Sequence, residues 1–392
     1  MLRVVAHALQ WSLLALVAYN AVIAMWGWRT PPPAPTGPRR RRFRVVVPAH
    51  DEEAVIDRLL TDLRSQDYRP SAYEVVVVAD RCTDATARVA ARHARVVERT
   101  GGPAGKGPAL AAHLDSEPLG SDEALVVLDA DNRVPPYLLA RFADELDAGH
   151  QVLQAYLDVA NPDSSALATA SALTYWASNR SVQLARRNLG WSADLGGTGM
   201  CLTGPVLELA GGFGTSPAED QELLVRLELA GRRVVWLHDV RVRDEKPSGL
   251  AVALRQRSRW MAGKREVARR SALPLLRAAA RRRSMAPLDL LVRLSQPGRS
   301  FLALISGLLA VTAVIARSPL LLPWWLWAAA ALFQVAYPLL LLWRERIPAR
   351  YLLRYPFVTL LAALWLPVRV VSRRAAGWYH TPHRGDGHGT SG

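Results

Sequence analysis

Cysteine is nearly absent from this chain of 392 residues. Cys82 and Cys201 stand alone, in no metal-type spacing, so no disulfide framework is implied and a cytosolic setting suits the central region. Acidic residues are also in short supply. With 34 Asp and Glu against 49 Lys and Arg the net charge is +15, which turns the surface toward anionic partners. No aromatic–basic stacking motif accompanies that charge, so nucleic acid is not an expected partner. Long apolar runs are missing from the middle of the chain and gathered at its two ends, within a hydrophobic share of 50%. That distribution makes membrane lipids and an anionic substrate the expected partners of the basic surface.

Val4 to Trp28 is almost free of charge and long enough to cross a bilayer at about 1.5 Å per residue. A cleaved signal peptide is the rival reading; against it, only Arg3 fills the n-region and no clean small-residue cleavage site follows. The Pro31 to Pro38 spacer and Arg39-Arg40-Arg41-Arg42 come next, and their charge places this flank in the cytosol. Residues 1–28 are therefore expected to form an anchor, 29–43 a linker and 44–248 the main domain. Residues 249–298 interleave basic side chains with Leu, Val, Ala and Trp, as helices lying on the cytosolic leaflet do. Phe301 to Ala316 and Leu320 to Trp343 read as a transmembrane hairpin within 299–343. Tyr355 to Val368 contains Pro356 and Pro367 and is shorter than the roughly 17 apolar residues a span needs. Residues 344–383 are thus expected to be interfacial or re-entrant, with a further span as the alternative, and 384–392 disordered. The whole is the pattern of a multi-pass plasma-membrane protein with a cytosolic central domain.

From Arg44 to about Arg243, runs such as Val45-Val46-Val47, Val75 to Val78 and Val126 to Leu128 alternate with helix-like stretches, including Ala54 to Gln66, Ala85 to Arg95 and Tyr137 to Ala148. This alternation predicts an α/β domain with a Rossmann-like, mostly parallel sheet covered on both faces. Ligands of such sheets bind at the carboxyl ends of the strands. Here those ends are polar: Pro48-Ala49-His50-Asp51-Glu52-Glu53, then Asp80, then Asp129-Ala130-Asp131-Asn132. Side chains at i and i+2 of a strand share a face, so Asp129 and Asp131 converge. Two adjacent negative charges need a cation, and magnesium or manganese carrying substrate phosphates meets that need. An acidic turn after a strand is the plainer alternative.

Gly101 to Gly107 carries Lys106 toward this rim, but Thr100 and Gly107 break the P-loop spacing. A lysine near phosphates and an ordinary glycine turn both remain open. The glycines of Leu195 to Met200 allow a backbone to approach a ligand closely. Glu219-Asp220 opens a helix running from Gln221 to Ala230. A carboxylate there is expected to stay ionised, as a general base must, although a simple N-cap has the same sequence. Gln256, Arg259 and Trp260 fall at i, i+3 and i+4 of a helix and share a face able to hold a diphosphate and a sugar.

Taken together, these motifs resemble those of membrane-bound inverting family-2 glycosyltransferases of the Gln-x-x-Arg-Trp group, over residues 43 to 264. The resemblance implies a GT-A fold. It further implies that Asp80 meets the nucleotide base, that Pro48, Ala49, His50 and Glu52 line the nucleotide, and that Asp131 with Asp129 holds the metal on the diphosphate. Asp220 would activate the acceptor hydroxyl, with Glu219, Gln256, Arg259 and Trp260 on the acceptor and diphosphate side. His50-Asp51 departs from the family's more usual Tyr-Asn. The implied activity is transfer from a nucleotide-sugar, with UDP the first choice, to a lipid-linked or membrane-proximal glycan acceptor. A processive polysaccharide synthase is the alternative, and a non-catalytic nucleotide-binding anchor a third.

Overall fold

The computed structural model describes residues 1–355, apart from Thr215, Pro217 and Ser248, together with Val358. Most of the Tyr355–Val368 stretch and the 384–392 tail therefore lie outside the described residues. The chain divides into two units. Among the described residues, one contains 31–162 and 191–295; the other contains 1–30, 163–190 and 296–355. Residues 163–190 thus leave the stretch read from sequence as one continuous domain and join the unit of the apolar helices.

The first unit is built on seven strands: β1 (Arg42–Ala49), β2 (Tyr73–Asp80), β3 (Arg95–Arg99), β4 (Glu123–Val127), β5 (Val152–Val159), β6 (Met200–Thr203) and β7 (Val235–Asp244). They lie in the order β3-β2-β1-β4-β6-β5-β7. β1 pairs in parallel with β2 and β4, β2 with β3, and β5 with β7. β6 alone of the seven is antiparallel, to both β4 and β5. Val45, Val46 and Val47 are all fully buried, so β1 is apolar on both faces, which is why it reads as an unbroken β-branched run instead of an alternation. Helices Ile56–Arg64, Lys106–Ser116, Leu138–Asp147 and Glu219–Leu229 accompany the sheet. The first of these turns Ile56, Leu59, Leu60 and Leu63 inward at helical spacing. The stretch read as a helix from Ala85 to Arg95 is shorter, Thr86–Ala90, and Arg95 already begins β3.

Helix Lys106–Ser116 buries His113, 2% exposed, and neither ring nitrogen has a hydrogen-bond partner among the described residues. Burial holds its pKa below the usual 6.5. The unfolded chain therefore takes up a proton near 6.5 that the folded chain refuses, and stability is lost as the pH falls below that value. The thermal midpoint is expected to drop between pH 7 and pH 5, and to drop less in His113→Leu. Equal drops in calorimetry of the two proteins would contradict this.

In the second unit, Leu2–Trp28, Arg299–Ala316 and Trp324–Arg344 are helices long and apolar enough to cross a membrane. Val17, Leu302 and Ala330 form their shared core, flanked by Leu13, Leu14 and Leu16. Polar side chains tie the ends. Gln10 donates to Leu320 O (2.8 Å) and accepts from Leu322 N (2.9 Å), and Asn20 donates to Gln296 (2.7 Å). Arg180, 4% exposed, pairs with Glu345 at 2.5 Å and donates to Gly27 O at 3.1 Å. A Cβ at position 27 would stand 2.2 Å from the Arg180 carbonyl oxygen, so only glycine fits there.

Candidate active site

β1 and β2 both exit through non-glycine residues in the left-handed region, Asp51 (φ 55°) and Arg81 (φ 55°). Such strain persists only where surrounding bonds hold it. They do here: Asp51 accepts from Thr83 N–H (2.6 Å), the Thr83 hydroxyl (3.1 Å) and Asp84 N–H (3.3 Å). Burial works to raise the Asp51 carboxyl, but Thr83, His50 and Asp84 hold it below its usual range. His50 Nδ1 lies 2.6 Å from Asp80 O, so that nitrogen carries the proton and donates it to the carbonyl. Glu52 N–H donates to Thr86 Oγ1 at 2.7 Å. Pro48 and Ala49 pair with Val78 and Ala79, which aligns the two exits.

Asp80, the last residue of β2 and 6% exposed, is heavily engaged: Arg99 donates to it at 2.6 Å, Arg81 at 3.0 Å and Gly105 N–H at 3.3 Å. The glycine-rich loop is therefore pinned to Asp80 at Gly105, and it ends by placing Lys106 as the first residue of a helix. Lys106 Nζ bonds to Asp129 Oδ1. Asp129 lies beyond the end of β4, in a turn closed by Asn132 N–H on its carbonyl (3.0 Å). The i, i+2 strand geometry expected for the acid pair thus does not apply. Asp129 turns to Lys106, whereas Asp131, which accepts from Asn132 Nδ2 at 3.2 Å, lines a pocket of about 480 Å³ with Arg133, Arg243 and Glu245.

Glu219 and Asp220 open helix Glu219–Leu229. Gly197, in the left-handed region at φ 77°, lies between their side and Lys106: a Cβ there would be 3.6 Å from Lys106 Nζ and 4.0 Å from Asp220 Oδ2. Close approach of backbone to both charges is what that glycine permits. Burial pushes Glu219 up to about 7, Asp220 adds to the rise and Lys106 opposes it. Asp220 is raised too, by burial, against hydrogen bonds from Gln221. The helix terminus expected from sequence to keep these groups ionised is outweighed by desolvation and mutual repulsion. Lys106 is raised in turn: burial would lower it, but Asp129, Glu219 and Asp220 together prevail. Helix Leu250–Arg282 meets this end of the sheet through Gly263, whose Cβ position would be 2.7 Å from Ala218 Cβ. One turn earlier, Arg259 faces Glu219; burial lowers its pKa and Glu219 opposes the shift. On the same helix Gln256 is half-buried and Trp260 is 43% exposed.

The structure therefore brings Lys106, Asp129, Glu219, Asp220 and Arg259 together, with Asp80 joined through Gly105. It sets Asp131 on the neighbouring pocket wall. Sequence reasoning missed three residues here. Thr198, 3% exposed, bonds to Asn132, 1% exposed, and both accept from Asp129 N–H (3.0 and 3.1 Å), fixing the acid turn. Asp244 at the end of β7 pairs with Lys246 at 2.5 Å and lies close enough to Asp129 to feel its charge. Asn132 and Thr198 sat inside motifs already singled out; Asp244 carried no local signal.

A divalent cation fits Asp129 and Asp131 by chemistry, since hard cations of this kind bind one or two carboxylates and fill the rest with phosphate oxygens. Asp129 leaves 39% of its side chain exposed for that purpose. Among the described residues, ligand atoms of three side chains, Asp51, Cys82 and Asp84, also lie within 4.8 Å of one another. It suits a metal poorly. Its carboxylates are occupied by Thr83, Glu53 and Thr86, and burial pushes the Cys82 thiol up, away from the thiolate a metal needs.

Strand order, the single reversed strand and an acid-bearing carboxyl rim define a GT-A domain. The chain belongs to the family described as Glycosyltransferase like family 2, whose model matches residues 38–263. It is 27% identical over 238 residues to a beta-monoglucosyldiacylglycerol synthase of Synechocystis, covering 56% of this chain and 47% of that protein. It is 25% identical over 237 residues to the probable glycosyltransferase YdaM of Bacillus subtilis, covering 58% and 56%. The chain thus spans about half the length of the curated relatives it matches. Among solved structures, a mannosyltransferase from Pyrobaculum calidifontis, in complex with GDP-Man and Mn2+, shares the fold with a TM-score of 0.60. Identity is 22%, over 92% of this chain and 99% of that one.

Proposed function

We propose that this protein is an inverting, metal-dependent glycosyltransferase that moves a sugar from a nucleotide-sugar to a lipid acceptor at the cytosolic face of a membrane. One observation carries the proposal: Lys106, bonded to the rim carboxylate of Asp129, and Asp220, whose pKa is raised, both lie around Gly197. Displacement at an anomeric carbon needs a stabilised diphosphate on one side and one proton acceptor on the other. Asp129 and Asp131 would hold magnesium or manganese, which neutralises the departing diphosphate when bound. Lys106 and Arg259 add fixed positive charge to the same group. Asp220 takes the proton of the acceptor hydroxyl. The three apolar helices and the Synechocystis relative's name, a beta-monoglucosyldiacylglycerol synthase, support a membrane lipid as that acceptor.

The test is a panel of nucleotide-sugars incubated with the purified chain and native membrane lipids, with products identified by mass. Transfer should disappear on chelation and return with magnesium or manganese. Asp131→Asn should weaken metal-dependent nucleotide binding by about tenfold, the usual scale for one lost charged contact. Transfer that persists in chelator would remove the metal from the mechanism, and a ladder of products would make the enzyme a polymer synthase instead.

A further inference from the structure

Apart from Asp131, the residues lining the pocket have no role in the chemistry above, and its wall is basic. Arg58 comes from the helix after β1, Arg133 from the turn after β4, and Arg241 and Arg243 from β7, around a volume of about 480 Å³. Tyr137, 42% exposed, forms part of the lining. The guanidiniums are unequally committed. Arg133 is held by both oxygens of Asp62, at 2.6 and 2.8 Å, and is neutralised. Arg241 lies over the Tyr156 ring, 4.5 Å from its centroid, and 3.4 Å from Asp158 Oδ2. Arg243 approaches that same oxygen at 3.9 Å, so one carboxylate is shared by two cations. The Arg58 side chain is exposed and makes no ion pair among the described residues. Of the acids on the wall, Asp62 is taken by Arg133 and Asp131 belongs to the proposed metal pair; Glu245 and the shared Asp158 then face the guanidiniums of Arg58, Arg241 and Arg243, two negative charges against three positive.

We infer that this pocket receives a phosphate group carried by the lipid acceptor, held by Arg58, Arg241 and Arg243. The inference rests on the proposed sugar transfer and specifies its acceptor as an anionic, phosphate-bearing lipid, not a neutral one. Phosphate is the ligand whose several acceptor oxygens match planar guanidiniums two at a time. The stack on Tyr156 fixes the Arg241 plane in advance, so little side-chain entropy remains to be lost on binding. The donor's diphosphate has its own cations in Lys106 and Arg259, on the Asp129 side of the rim. Asp131 lines this pocket and belongs to the proposed metal pair, so an acceptor phosphate held here would lie beside one of the two metal carboxylates.

The full chain in phosphatidylcholine nanodiscs is titrated with phosphatidic acid, with diacylglycerol, with glycerol 3-phosphate and with UDP or GDP, following hydrogen-exchange protection of segments 131–137 and 241–245. Phosphatidic acid should protect both segments and diacylglycerol neither. The double variant Arg241→Gln, Arg243→Gln should weaken phosphatidic acid by about tenfold or more, the scale of lost charge-assisted hydrogen bonds. Arg58→Gln, at an exposed side chain with no ion pair among the described residues, should weaken it in the same direction, and nucleoside diphosphate affinity should not follow. Four results overturn the inference: equal protection by diacylglycerol, protection by glycerol 3-phosphate alone, undiminished phosphatidic acid binding in both variants, or nucleoside diphosphate affinity falling in step. These readouts need no turnover. An Asp220→Asn enzyme that still transfers sugar would refute the transfer mechanism and leave this titration standing.

Discussion

Asn in place of Asp220 is expected to reduce sugar transfer by about a thousandfold, within the range that one positioned proton acceptor contributes. The amide is nearly the shape of the carboxylate, and its one oxygen can still accept from Gln221 N–H, which donates to Asp220 at 2.8 Å, while the longer bond from Gln221 Nε2 at 3.3 Å is given up. Folding and metal-dependent nucleotide binding should therefore be close to unchanged. Turnover and KM measured separately distinguish a lost base, which lowers kcat, from a lost binding contact, which raises KM. A fully active Asp220→Asn enzyme would end the proposed role. The pH profile is a second readout. Glu219 is pushed up to about 7 and Asp220 is raised beside it, so the pair must lose its protons well above the ordinary carboxylate range. The rate should fall on the acid side through this region, and the apparent midpoints belong to the pair.

Lys106→Met should have the second largest effect. The lysine bonds to Asp129 and opposes the rise of both Glu219 and Asp220. Removing it takes a fixed positive charge from the departing diphosphate, which costs about a hundredfold in kcat by analogy with single electrostatic stabilisers elsewhere. It also removes the charge that favours the ionised acids, so the acid limb of the rate profile moves to higher pH. Lys106→Arg should keep the limb near its original place while losing some rate through altered geometry. A methionine variant whose limb does not move would show that Lys106 is not coupled to the pair. Both measurements use the same transfer assay, so a general loss of folding would appear as a lowered thermal midpoint without a displaced limb.

Much of the fold is legible in the residues because its signals are local. Val45 to Val47 and Val75 to Val78 are β-branched runs long enough for buried strands, and parallel order follows from the helices between them. β6 was not legible: four residues, Met200–Thr203, follow a glycine-rich run that reads equally well as a loop. Its antiparallel seat between β4 and β5 depends on partners far along the chain. The move of residues 163–190 into the unit of the apolar helices has the same origin. Arg180 looks like any other arginine until Glu345 and the Gly27 carbonyl are found around it.

The acidic rim divides in the same way. That carboxylates stand at three strand exits and at one helix start is written in the order of residues, since strand and helix periods are fixed by backbone geometry over a few positions. Tertiary structure alone decided which charge each carboxylate meets. Asp80 takes two arginines, Asp129 takes Lys106, Asp131 turns into a separate arginine-lined pocket, and Glu219 and Asp220 share a half-buried corner in which desolvation raises both. Burial and charge pairing depend on groups brought close by folding from positions tens of residues apart, and no local window of sequence contains that distance.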